Sequence, residues 1–258
     1  MHLTIDCEEW NSPHIRGIQD KDNFNTEYSR LGNERLLKIF NHHDIKCTFF
    51  VTGFYAEKEP ENVKEIIEHG HEVASHGYEH HYRNRVFDIE ADVKKSKRIL
   101  EKITKNKVIG FRAPQVQFSM KLLQILKKLN FKYDSSLHPA FLPGYYPYKN
   151  ITLPLHIHEP LPGLKEVPIA TLPNTRFPIV WLFQRNLGNW YTQLGVNGLE
   201  RKKINPVIYM HSWEFAKIKS KHVPFYFTRR TGLKFCKQID KFIKKNNRFG
   251  FGRVKDNI

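Results

Sequence analysis

The sequence of 258 residues lacks the features of several protein classes. No apolar run approaches the roughly 18 residues that a membrane-spanning helix needs. The three cysteines, Cys7, Cys47 and Cys236, are odd in number and show no metal-binding spacing, so we expect reduced thiols. There is no internal repeat and no low-complexity segment, and a content of 40% hydrophobic and 13% aromatic residues excludes a disordered chain.

The first ten residues show no secretion signal. They contain no basic segment followed by an apolar core and no small-residue cleavage site, and they are typical of a first β-strand instead. We therefore expect a cytoplasmic protein, with peripheral membrane contact at most.

Acidic residues are scarce at the C-terminal end. Residues 201–258 hold 16 of the 42 Lys and Arg but 3 of the 26 Asp and Glu, so 13 of the 16 net positive charges lie there. Part of this charge lies on the exposed face of an amphipathic helix predicted at about 229–246. Charge is the only feature that favours nucleic-acid binding, so we expect no such partner. We expect contact of this helix with an anionic membrane surface instead.

Predicted strands and helices alternate along most of the chain, which is typical of βα units around a parallel sheet or barrel. The segment 138–178 is the exception: it holds nine of the 14 prolines and is predicted to be mostly loop. No composition shift marks a boundary, so we predict one domain over residues 1–258. The predicted strands cover residues 2–6, 48–52, 72–75, 108–111, 131–133, 165–167 and 206–210.

Carboxylates and histidines follow two of the early strands. Asp6 and Glu8 are two residues apart, so an extended chain puts both on one side, where they supply a metal ligand and a base. A solvated acidic turn that includes Glu9 explains this cluster about as often. His76 and His80, at i and i+4, can close on one metal ion once a carboxylate completes the set, whereas a surface histidine run is the alternative.

Three further polar residues follow later strands. Arg112 can anchor a carboxylate by a bidentate contact, Asp134 begins a turn or cap, and His211 ends the strongest strand. Each also has an ordinary structural explanation. All these motifs, however, fall at the carboxyl ends of predicted strands, where α/β barrels build active sites, and this shared placement favours an enzyme.

The order of these motifs resembles that of the NodB-type polysaccharide deacetylases, carbohydrate esterase family 4. The resemblance runs from residue 3 to about 215, and its most specific part is the Gly-His-Glu lead-in to His-Gly-Tyr-Glu-His. The closing Tyr-Met-His-Ser-Trp-Glu resembles the branch associated with exopolysaccharide and surface-glycan biosynthesis. The motifs are Thr4-Ile5-Asp6-Cys7-Glu8, Gly70-His71-Glu72-Val73-Ala74-Ser75-His76-Gly77-Tyr78-Glu79-His80, Arg112-Ala113-Pro114, Asp134-Ser135-Ser136 and His211.

The resemblance implies a distorted (β/α) barrel of seven or eight strands and metal-assisted hydrolysis of a sugar acetyl group, most often N-acetyl. The implied cofactor is one divalent ion, foremost zinc, with cobalt, manganese, iron or nickel as alternatives. His76, His80 and Glu8 would bind this ion. Because Cys7 replaces the second Asp of the common Thr-Phe-Asp-Asp-Gly form, the assignment of Glu8 as ligand and Asp6 as base can also be reversed.

The remaining roles follow from the same resemblance. Arg112 would hold Asp6, the backbone N–H of Gln115 would stabilise the oxyanion, and His211 would protonate the leaving amine. The residues expected to bind the sugar are Trp10, Tyr78, Gln115, Asp134 and Trp213, and core packing explains the three aromatic ones equally well.

The substrate implied is an acetylated amino-sugar glycan or a lipid- or nucleotide-linked sugar intermediate. Two rival functions remain open. One is a catalytically inactive member that binds a glycan, and the other is an amide hydrolase of the same fold that acts on a small non-sugar substrate.

Overall fold

The computed structural model describes residues 1–82, 86–142 and 148–258. Residues 143–147 of the proline-rich segment therefore lie outside the described residues. The strands are β1 (His2–Cys7), β2 (Thr48–Val51), β3 (Glu72–Ser75), β4 (Gly110–Phe111), β5 (Tyr133–Asp134), β6 (Phe141–Leu142), β7 (Tyr148–Lys149), β8 (His158–Leu161), β9 (Leu164–Glu166) and β10 (Val207–His211). The helices are α1 (Glu27–His42), α2 (Gly53–Lys58), α3 (Pro60–Glu68), α4 (Ile89–Thr104), α5 (Met120–Lys128), α6 (Trp181–Leu187), α7 (Asn189–Arg201), α8 (Phe225–Thr228) and α9 (Leu233–Asn246).

The main sheet has the strand order β10-β1-β2-β3-β4-β5-β9-β8. Every neighbouring pair is parallel except β8 and β9, which are antiparallel. The backbone N–H of Ala170, four residues after β9, donates to the carbonyl of Val207 in β10 at 3.0 Å. This bond brings the two ends of the sheet together, and the predicted distorted α/β barrel is confirmed.

The strands that carry the site are buried because helices cover them outside and side chains fill the barrel inside. All residues of β1, β2, β3 and β10 are buried, as expected for parallel strands with both faces covered. Two of the connecting helices begin at side-chain caps: the side chains of Asp88 and Ser119 accept the backbone N–H groups of Ala91 and Leu122 at 3.1 Å each.

The predicted C-terminal helix is α9, which packs through Phe235, Ile239, Phe242 and Ile243. Leu233 is 65% exposed because it occupies the first turn, before the helix reaches the core. Among the described residues, no helix combines the length and the apolar character needed to cross a membrane.

Helix α1 lies directly against the backbone that follows β10. Gly32 of α1 faces the 3₁₀ turn Ser212–Phe215, and a Cβ built on Gly32 would overlap the backbone carbonyl of Ser212. Glycine is therefore required here by close packing, and the packing fixes the chain next to His211.

We predict that Gly32→Ala destabilises the fold by about 2 kcal/mol or more, because neither backbone can move aside without disturbing the core. Thermal or denaturant unfolding checks this. Gly252→Ala is the matched control, since the nearest atom to its Cβ, an Asp256 oxygen, is 3.8 Å away. Equal stability of the two variants would contradict the packing argument.

Candidate active site

Polar side chains from four strands meet at one end of the barrel. Asp6 lies in β1 and Glu8 just after it, His76 follows β3, Arg112 follows β4, and His211 ends β10. Parallel strands all present their carboxyl ends on the same side, so residues distant in sequence come together there. The structure therefore brings these side chains together at the carboxyl ends of the strands, as the sequence predicts.

Glu8, His76 and His80 form a group whose ligand atoms all lie within 4.8 Å of one another. Glu8 Oε2 is 3.3 Å from His76 Nε2 and 3.0 Å from His80 Nε2. The other oxygen, Oε1, accepts a hydrogen bond from the indole N–H of Trp213 at 3.0 Å. The indole therefore fixes the carboxylate with Oε2 directed between the two imidazoles.

The contact between Glu8 and His76 is informative because both facing atoms are acceptors in their ordinary forms. His76 Nδ1 lies 2.8 Å from the carbonyl oxygen of Arg112, to which it donates, so Nε2 carries the lone pair of the neutral ring. Among the described residues, Glu8 Oε2 and His76 Nε2 have no hydrogen-bond partner. Only a proton or a cation between them makes this buried approach favourable. An imidazole whose other nitrogen donates to a carbonyl is also the usual arrangement at a metal.

The electrostatics of the group suit a cation. Burial opposes the charge of Glu8, but the imidazoles, His80 foremost, outweigh it and lower the pKa of Glu8 to about 2. Burial lowers the pKa of His80 to about 4. An ionised carboxylate beside a neutral imidazole is the protonation state that binds a divalent ion.

Glu9, the third acid of the cluster, points away from this group. Its Oε1 accepts the backbone N–H of His80 at 2.9 Å and its Oε2 accepts the hydroxyl of Thr52 at 2.8 Å. Burial raises the pKa of Glu9 to about 7. Glu9 thus positions the loop that carries His80.

Asp6 is held by a fully buried guanidinium. Arg112 Nη1 donates to Asp6 Oδ1 at 2.7 Å and to the hydroxyl of Thr4 at 2.9 Å. The second carboxylate oxygen, Oδ2, is 4.0 Å from His76 Nε2. One oxygen of Asp6 therefore binds Arg112, while the other faces the group formed by Glu8, His76 and His80 (the metal-type group).

His211 lies on the opposite side of Glu8, with Nε2 3.9 Å from Glu8 Oε1. Glu214 Oε2 accepts the backbone N–H of His211 at 2.8 Å and lies 3.4 Å from its Nδ1. Glu214 in turn is paired with Arg185, and both side chains are fully buried. Burial lowers the pKa of His211, but the carboxylates of Glu8 and Glu214 outweigh it, so the net shift is upward.

The backbone N–H of Gln115 lies next to His80, on the metal-type group. Its N–H is 3.3 Å from His80 Nε2, in a 3₁₀ turn in which Gln115 has a φ of 55°. A positive φ is uncommon for a residue other than glycine, and such backbone conformations concentrate at functional sites. The turn directs this N–H toward the metal-type group.

A pocket of about 180 Å³ opens above these groups. Of the residues expected at the site, those that line it are Asp6, Glu8, His80, Gln115, His211 and Trp213. His76 and Arg112 lie behind them. The Trp213 ring stacks on His211 with a centroid distance of 4.8 Å.

Three residues expected to bind substrate do not line this pocket. Trp10 is buried and packs edge-on against Trp213 at 4.8 Å. The hydroxyl of Tyr78 donates to Glu57 at 2.8 Å, and its ring lies under the Lys95 ammonium. Asp134 is fully buried and accepts the hydroxyl of Ser136 at 2.6 Å.

Sequence reasoning assigned no role to several residues of the site. Glu214 was part of a motif, and its spacing of three residues from His211 was a signal that could have identified it. Trp181, whose ring meets His211 edge-on at 5.0 Å, and Arg185 lie in a region of weak periodicity that gave no such signal.

Comparisons with known proteins give a sequence match over part of the chain and a likeness in fold. Residues 23–133 match the family model described as polysaccharide deacetylase. The peptidoglycan deacetylase of Helicobacter pylori is 38% identical over 120 residues, which cover 45% of this chain and 40% of that protein. The chain thus matches well under half of that curated relative.

Two solved structures share the fold over 99% of this chain. A probable polysaccharide deacetylase from Pseudomonas aeruginosa PAO1 has a TM-score of 0.69 and Puue allantoinase one of 0.67, each at 17% identity. The matches cover 88% and 87% of those chains. At this identity the likeness concerns the fold alone, and the exopolysaccharide branch stays a prediction.

A pair of buried carboxyls lies beside the site. Asp134 and Glu166 are partners in the β5–β9 register, and both are fully buried. Glu166 Oε1 accepts the backbone N–H of Leu137 at 2.9 Å. Burial raises the pKa of Asp134 to about 6, and burial together with the charge of Asp134 raises that of Glu166 well above its usual value. These upward shifts favour one proton shared between the two carboxyls.

We predict that the Asp134–Glu166 pair contributes a loss of stability as pH rises above about 4.3, the value of an unfolded Glu, because the folded pair keeps protons that the unfolded state releases. Glu166→Gln keeps a hydrogen-bond donor at this position, but its amide does not titrate. The variant should remove about 1.4 kcal/mol of this loss for each pH unit over which the folded pair binds one proton more than the unfolded state. Unfolding at pH 5 and 8 measures the difference. Glu68→Gln, an exposed site, is the control, and a slope unchanged by Glu166→Gln would contradict the shared proton.

Proposed function

We propose that this member of the polysaccharide deacetylase family removes the acetyl group from an N-acetylated amino sugar, in a glycan or a glycan precursor, with the aid of one divalent metal ion. The observation that carries the proposal is the Glu8–His76–His80 group, which lies in one pocket between Asp6 and His211.

The residues present fit such an ion. Two imidazoles and one carboxylate leave a coordination position open, which is the arrangement of catalytic zinc sites, and cobalt, manganese, iron and nickel accept similar donors. When bound, the ion would lower the pKa of a water and polarise the acetyl carbonyl. Glu8, His76 and His80 would hold it.

Asp6 is suited to accept the proton of the attacking water. Arg112 binds Oδ1 at 2.7 Å, which fixes the carboxylate and leaves Oδ2 directed at the metal-type group. A base held on one side by a buried cation keeps its geometry through the reaction. This favours Asp6 as base and Glu8 as ligand.

His211 is suited to donate a proton to the leaving amine. Glu214 orients Nδ1, so Nε2 faces the pocket, and the raised pKa keeps the protonated form available. The backbone N–H of Gln115 would stabilise the negative charge that develops on the carbonyl oxygen. Trp213 offers an aromatic face to the sugar ring.

We further propose that the protein acts in the cytoplasm on acetylated sugar intermediates. The intact set of acid, base and metal-ligand residues favours catalysis over the binding of a glycan without turnover. Likeness in fold to an allantoinase keeps a small non-sugar amide as the second candidate substrate class. Acetate release from a panel of N-acetylhexosamines, with allantoin in parallel, tests both candidates.

We predict that a chelator abolishes acetate release and that added Zn²⁺ or Co²⁺ restores it, because the reaction needs an ion at Glu8. Glu8→Gln should lower bound metal by about one ion per chain, measured by elemental analysis. A surface group formed by His42, His43 and Asp240 can also bind metal, so His43→Ala is the matched control that keeps activity. Full activity of a metal-free protein would contradict the proposal.

Asp6→Asn and His211→Ala should each lower kcat by about 10²–10⁴-fold while the protein keeps its metal, because each removes a proton acceptor or donor and leaves the ligands intact. Kinetics and metal content are measured on the same samples. Loss of the ion in Asp6→Asn would instead assign Asp6 as the ligand and Glu8 as the base.

A further inference from the structure

An apolar groove continues from the active-site pocket along α6 and α8. Its volume is about 580 Å³, within the range of small-molecule sites. Leu187 and Tyr226 form its exposed edges. Its apolar lining consists of Leu182, Phe183, Leu187, Pro224, Tyr226 and Phe227.

The groove and the pocket are continuous. Leu182, Phe183, Phe227 and Arg16 line both. Trp181 links them, since its ring meets His211 at 5.0 Å and Phe227 at 5.3 Å. A substrate whose acetyl group lies at the metal-type group can therefore extend directly into the groove.

Arg16 stands at the junction of the two spaces. Its guanidinium lies 4.5 Å from the centre of the Phe227 ring, and its Nη1 donates to the carbonyl of Ser12 at 2.7 Å. Among the described residues, no carboxylate is paired with Arg16 and none lines the groove. Arg230, at the outer edge, donates to the carbonyl of Asn186 at 3.2 Å. The charge around the groove therefore favours an anion at the junction.

The lining excludes further sugar units as the natural occupant. Sugar hydroxyls need hydrogen-bond partners, and buried polar groups without them cost free energy. The groove offers few: the amide N–H₂ of Asn186 already donates to the carbonyls of Leu182 and Tyr226 at 2.9 and 3.0 Å, and its buried Oδ1, without a hydrogen-bond partner among the described residues, adds one acceptor. An alkyl chain, in contrast, gains from burial against these side chains.

We propose that the groove binds the alkyl chain of a lipid-linked substrate, with Arg16 at the phosphate that joins the sugar to the chain. The inference rests on the proposed deacetylation and names its substrate class. It assigns the groove a role in specificity: the sugar occupies the pocket, the phosphate meets Arg16, and the first methylenes of the chain lie between α6 and α8.

The test compares three matched substrates, the methyl glycoside, the octyl glycoside and the octyl phosphate of N-acetylglucosamine, below their micelle concentrations. We expect kcat/KM to rise at least tenfold from the methyl to the octyl glycoside, since even one methylene in an apolar pocket can give such a factor. The phosphate should add a further increase. Equal kcat/KM for methyl and octyl substrates would overturn the proposal.

Two variants locate the effect. Leu187→Gln should lower the octyl-to-methyl ratio of kcat/KM, a ratio in which any general loss of activity cancels. Leu194→Gln is the matched control: it is 56% exposed, lies in α7 and does not line the groove, so it should keep the wild-type ratio. Arg16→Gln should remove the gain from the phosphate and keep that from the chain. Ratios unchanged by Leu187→Gln would contradict the location.

Calorimetric titration with octyl phosphate alone separates this inference from the proposed function. Saturable binding that Leu187→Gln and Arg16→Gln each weaken about tenfold supports the groove even where no glycoside is deacetylated, an outcome that would refute only the deacetylation. Deacetylation of all three substrates at equal rates, with no binding of octyl phosphate, would refute only the groove.

Discussion

The guanidinium of Arg112 joins more strands of the barrel than any single backbone pairing does. It donates to Thr4 and Asp6 of β1 and to Ser135 after β5, and its Cζ lies 4.1 Å from the centre of the Phe50 ring in β2. A buried cation is costly unless its partners satisfy it, and here Asp6 supplies the charge while Ser135 and Thr4 supply the remaining acceptors. The position of the carboxylate in the pocket thus follows from the internal bonding of the barrel.

The balance of charge at this end of the barrel explains why a cation fits. Arg112 compensates Asp6 and Arg185 compensates Glu214, so each of these carboxylates has a buried cationic partner. Among the described residues, the groups next to Glu8 are imidazoles and one indole N–H. A buried carboxylate without a guanidinium partner is stabilised by a metal ion bound between it and the imidazoles.

Sequence patterns predicted those parts of the site that follow strands. His2–Cys7, Glu72–Ser75 and Val207–His211 are short strand-like runs with carboxylates or histidines at or just after their ends, so the barrel and its clustered carboxylates and histidines were predictable. The aromatic residues were not, because packing in the core and lining a pocket require the same side chains: Trp213 lines the pocket, whereas Trp10 supports it from behind. Arg185 reaches its partner Glu214 across 29 positions, a pairing that local periodicity cannot reveal.

The division of the site along the chain limits what relatives can say about the substrate. His76, His80 and Arg112 fall within residues 23–133, the region that matches the deacetylase family. The groove falls outside this region, because its walls come from α6 and from α8 with the preceding Pro224, and the junction residue Arg16 lies outside it as well. The matched region therefore covers the two histidines and Arg112, whereas Asp6, Glu8 and His211 lie outside it. The groove walls belong to segments beyond the matched region, so substrate preference must be argued from the apolar lining itself.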